Sequence, residues 1–75
     1  MNDEIYEAIA KQERILSITY VETICAVNTS EEQEETIQDY RQGLQKILDK
    51  HKVTLYAWDL EVEYRLIKKY RNLSS

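Results

Sequence analysis

The chain has 75 residues, no Pro, one Gly, one Cys, one His and 43% hydrophobic residues. Disulfide scaffolds, Cys/His zinc sites, collagen-like repeats and glycine-rich phosphate loops are excluded, because the residues each one needs are missing. The formal net charge of −4 repels phosphate backbones at long range, which argues against a general nucleic-acid binder.

Met1-Asn2-Asp3-Glu4 is acidic where a secretory leader is basic, and no apolar run approaches the roughly 20 residues that span a bilayer. A soluble, cytoplasmic protein is the expectation. Asn2 is placed to cap a first helix running from residue 3 to about 27, with Asp3 and Glu4 at the positive end of its dipole. Toward its end Ile15, Leu16, Ile18, Tyr20, Val21, Ile24, Cys25, Ala26 and Val27 are apolar almost all the way round. A helix of that kind is usually surrounded, and two further helices cover only part of a cylinder. With no basic neighbour to activate it, Cys25 reads as a small buried hydrophobe.

Asn28-Thr29-Ser30 is the one internal cluster of three small polar residues, and Thr29 with Glu32, or Ser30 with Gln33, fits a capping box. A second helix over residues 30 to 51 follows, its apolar stripe formed by Ile37, Tyr40, Leu44, Ile47 and Leu48 at three- and four-residue steps. Its acidic start, Glu31, Glu32, Glu34, Glu35 and Asp39, is a solvated helix end or, as an alternative, a mimic of a phosphate row. Mid-helix, Gly43 costs about 1 kcal/mol relative to Ala unless a neighbour crosses closely there. His51, between Lys50 and Lys52, suits the negative end of the helix dipole better than a catalytic base.

The third segment is the ambiguous one. From Trp58 to Leu66 apolar and polar residues alternate as in a half-buried strand. Thr54 as an N-cap, acids at 59, 61 and 63 ahead of bases at 65, 68, 69 and 71, and the Glu61/Arg65 spacing favour a helix over residues 54 to 72. On a helix the apolar residues fall into two stripes: Leu55, Trp58, Val62, Leu66 and Leu73 on one side, Tyr56, Leu60, Tyr64 and Ile67 on the other. Asp59 and Glu63 share a face, but two carboxylates without further ligands make a poor metal or acid/base site.

The fold expectation is therefore all-α: one domain over residues 1 to 75, a three-helix antiparallel bundle or helical array completed by oligomerisation. Six Tyr and no Phe place aromatics at edges and contact surfaces, where the hydroxyl keeps a partner. No nucleophile/base arrangement can be assembled from one His and one Cys, so neither an enzyme nor a cofactor is expected. The functional reading is a protein–protein interaction module, a small regulator or inhibitor that binds another protein or forms a homodimer. Its contact residues are expected to be Tyr20, Ile24, Tyr56, Trp58, Leu60 and Tyr64. The alternative is a nucleic-acid-associated regulator using the basic, aromatic stretch Arg65, Lys68, Lys69 and Arg71.

Overall fold

In a computed structural model that describes residues 2–73, the chain forms three helices: α1 (Asp3–Ala26), α2 (Ser30–Lys50) and α3 (Leu55–Leu73). Each begins where a side chain satisfies an open backbone N–H. The Asn2 Oδ1 accepts from the Glu4 N–H at 2.8 Å, the Thr29 Oγ1 from the Glu32 N–H at 3.2 Å, and the Thr54 Oγ1 from the Ala57 N–H at 3.1 Å. The reciprocal half of the expected capping box is displaced by one residue, since Glu32 Oε2 accepts from the Asn28 N–H rather than from Thr29. No strand forms among the described residues, so the alternating stretch from Trp58 is helical.

α1 and α2 pair antiparallel: Ile9 meets Leu44 and Leu48 at one end, Gly43 faces Leu16 in the middle, and Tyr20 lies against Tyr40 farther along. At Gly43 the two helices approach tightly. A Cβ built there would lie 2.9 Å from Leu16 Cδ1, so the missing side chain is used for close packing. Thr36 is buried between the helices and satisfies its hydroxyl by donating to the Glu32 carbonyl at 2.8 Å.

Ile9, Leu44, Leu48 and Trp58 are the buried apolar core, with Tyr6, Leu16, Tyr40, Val53 and Val62 packed against it. All three helices contribute, but only where the start of α1, the end of α2 and the start of α3 meet. Trp58 therefore belongs to the core, which differs from its expected place on a contact surface. The turn from α2 into α3 is a Schellman motif. The Val53 N–H donates to the Leu48 carbonyl at 3.0 Å and the Lys52 N–H to the Asp49 carbonyl at 3.1 Å, with Lys52 in the left-handed region at φ 57°.

Beyond the junction α3 leaves the hairpin, reaching α1 through side chains alone. The outcome is an extended, thin molecule of 43 × 32 × 18 Å with a Cα radius of gyration of 14.5 Å, against about 11 Å for a compact domain of this length. Among the described residues, the far half of the α1/α2 hairpin has no third layer. Cys25 lies there and is exposed, contrary to the buried position expected of it, because no described helix packs on that side of α1. Among the described residues, no helix is long and apolar enough to cross a membrane.

Candidate functional site

The fastening of α3 to α1 determines which of its faces is spent internally. Tyr6 is held between two α3 side chains: its ring stacks on Trp58 with centroids 5.2 Å apart, and the Arg65 guanidinium lies 3.5 Å from its centroid. Arg65 also bonds Asp3 near the start of α1 and, at 3.1 Å, Glu61 one turn back along α3. Desolvation lowers the Arg65 pKa, but the bonds to Asp3 and Glu61 outweigh it and hold the group above its ordinary value. Trp58, Val62 and Arg65 thus form the inward side of α3.

The outward side is apolar. At 100° per residue, Tyr56, Leu60, Tyr64 and Ile67 fall on a strip roughly opposite Trp58 and Val62. All four are exposed, Tyr64 at 62% and Leu60 at 48%. Ala57, Leu60, Tyr64 and Ile67 follow one another at steps of three, four and three, the spacing of a coiled-coil seam. A second exposed strip lies on the uncovered half of α1, where Ile15 is 63% exposed and Ile18 and Val21 are more than half exposed.

Of the residues expected at a contact surface, Tyr56, Leu60 and Tyr64 come together on the outer strip of α3. Tyr20 and Ile24 are half-buried on α1, and the Tyr20 ring packs 5.0 Å from Tyr40 inside the hairpin. Ile67, Ile15, Ile18 and Val21 join the exposed set. The seam spacing identifies Ile67, whereas the three α1 residues could not be assigned until the splay of α3 was known.

A polar node sits beside the Tyr20/Tyr40 contact. Glu13 Oε1 accepts from the Tyr40 hydroxyl at 2.6 Å and from Ser17 at 2.7 Å, tying α1 to α2. Burial, and then the bond to the Glu13 carboxylate, push the Tyr40 phenol above its ordinary value, with Ser17 acting in the opposite direction.

Among the basic residues considered for nucleic acid, Arg65 is engaged with Asp3, Glu61 and Tyr6, while Lys68, Lys69 and Arg71 are exposed farther along α3. Lys68 and Lys69 line an open groove of about 730 Å³ with Asp3, Tyr6 and Tyr64. Asp59 and Glu63 are exposed on α3, and no three His, Cys, Asp or Glu among the described residues come together in a way that could hold a metal ion. His51 caps the end of α2 with its Nε2 buried and without a hydrogen-bond partner.

Compared with known proteins, the chain matches no family model, no curated protein and no solved structure.

Proposed function

We propose that the chain is a non-enzymatic interaction module, a small regulator or inhibitor that acts by holding another protein chain on the apolar faces of α3 and α1. One observation carries the reading. The side of α3 turned away from the core presents Tyr56, Leu60, Tyr64 and Ile67 together. Scattered surface apolars are ordinary, but a contiguous strip with aromatic anchors is the composition of binding hot spots.

The test is Leu60→Asp combined with Tyr64→Asp. Association, measured as molar mass in solution and as retention of interacting protein, is expected to be lost while far-UV circular dichroism keeps its helical amplitude. Because both side chains point away from the core, loss of helix would assign them to the fold instead. Unchanged association together with unchanged helix would refute the reading for α3.

A further inference from the structure

We propose that the cleft between α3 and the α1/α2 hairpin binds a small organic cation, an apolar body carrying one ammonium or guanidinium group. The proposal does not depend on the outer strip of α3, because the cleft opens on the inward flank of that helix. Three observations carry it.

The first is the cavity itself. All three helices line a recess of about 530 Å³, with Tyr40, Trp58, Val62 and Leu66 among its walls. That volume falls within the roughly 300–1,000 Å³ of small-molecule sites, which are mostly apolar and often lie between helices.

The second is the sign of its charge. Glu13 of α1 and Asp59 and Glu63 of α3 line the same recess, and among the described residues no Lys, Arg or His does. A cleft with low-dielectric walls and charges of one sign concentrates counter-ions of the other. The separation follows from the sequence. At 100° per residue, Asp59, Glu63 and Leu66 fall on one flank of the line from Trp58 to Val62, and Glu61, Arg65 and Lys68 fall on the other. Arg65 and Lys68 accordingly line the separate groove that holds Asp3 and Tyr64.

The third is that the carboxylates of the cleft are uncompensated. Asp59 and Glu63 are exposed and enter none of the ion pairs among the described residues. They stand one turn apart with no base three or four positions away on α3, so they repel each other without a local counter-charge. Glu13 accepts from the Tyr40 and Ser17 hydroxyls, which are neutral donors. An entering cation relieves the repulsion among the three acids, and the Tyr40 ring gives it an aromatic wall. A neutral molecule of the same shape gains only the apolar contact, and an anion is repelled.

Three probes of one shape test this: phenylbutylammonium, phenylbutanol and phenylbutanoate. Each is titrated into the intact chain at low salt, followed by calorimetry and by the emission of Trp58, which lines the recess and is the only tryptophan. The ammonium is expected to saturate the site at millimolar concentration or below and to bind at least about fivefold tighter than the alcohol, with the butanoate weakest. Asp59→Asn with Glu63→Gln should remove most of that preference and leave helix content unchanged. Leu66→Ala should weaken the ammonium and the alcohol alike, because it removes wall rather than charge. Lys68→Gln with Lys69→Gln, in the other groove, should leave the preference in place.

An ammonium that fails to saturate the site, that binds no better than the alcohol, or that binds Asp59→Asn/Glu63→Gln as well as the wild type overturns the proposal. So does Leu66→Ala without effect on either probe, or a preference that disappears with Lys68 and Lys69. If the carboxylate variant loses helix, salt decides in the wild type: the preference should shrink as ionic strength rises, and one indifferent to salt overturns the proposal.

Discussion

Lys52 shows how a single residue can carry strain that a neighbouring hydrogen-bond pattern imposes. The two bonds that close the end of α2 require a left-handed residue at position 52, and a side chain there costs about 1–2 kcal/mol that glycine avoids. Lys52→Gly should therefore raise stability by about 0.5–1 kcal/mol, after the greater unfolded-state freedom of glycine is set against the gain. Thermal unfolding should move up by several degrees, and Lys52→Val should move it down. Sequence reasoning placed a break between the second and third helices but had no sign of this cap, because its usual signature is the glycine that is missing. Tyr40 supplies a second residue-scale test. Its pKa is raised above 10.0 chiefly by burial and by the Glu13 carboxylate, so the folded state holds that proton more tightly than the unfolded state. The associated stability is complete below about pH 10 and is lost as pH rises through the folded value. In a phenolate absorbance titration the Tyr40 step should come late, and that late step should be absent from Tyr40→Phe. A late step that persists in Tyr40→Phe would contradict the Glu13 node.

At the scale of the element, α3 is the part whose nature was hardest to read and whose attachment is the least continuous. The alternation from Trp58 to Leu66 resembled a strand because a helix with apolar residues on two opposite sides also alternates locally. Trp58, Val62 and Arg65 face inward while Leu60, Tyr64 and Ile67 face outward, and neighbouring positions swing between the two. The caps and the charge order decided correctly for helix, since they report chain ends rather than faces. What periodicity could not decide was which stripe is internal, because that depends on Tyr6, more than fifty positions earlier in the chain. The attachment rests heavily on this ring, between Trp58 and the Arg65 guanidinium. Tyr6→Ala should consequently release α3 while most of the helical signal remains. Trp58 is the only tryptophan, so its emission reports docking directly and should shift to longer wavelength without denaturant. Emission at the wild-type wavelength would show that Leu44, Leu48 and Val62 hold α3 without the clasp.

The whole molecule is a tightly paired hairpin with an arm, and its openness links the fold to the proposed role. The all-α class, the three segments and their order were legible because caps, acidic starts and the second helix's stripe are local features. The angle of α3 was not, since it arises where a four-residue core ends and nothing further along the hairpin draws the helix back. The near-continuous apolar circumference of α1 had suggested surrounding neighbours, yet Ile15, Ile18 and Val21 are left uncovered by the chain's own helices. Closure of α3 over the hairpin would require its inner face to meet Tyr20, Tyr40 and the Thr19, Thr23 and Thr36 side chains that line the groove between α1 and α2. The open shape should then persist when association is removed. Small-angle scattering of the Leu60→Asp/Tyr64→Asp variant is expected to give a radius of gyration near the 14.5 Å of the Cα trace, with hydration adding slightly to it. A value near the roughly 11 Å of a compact domain would mean that α3 folds back onto the hairpin when it lacks a partner. The outer strip would then be a consequence of assembly rather than a surface standing ready for it.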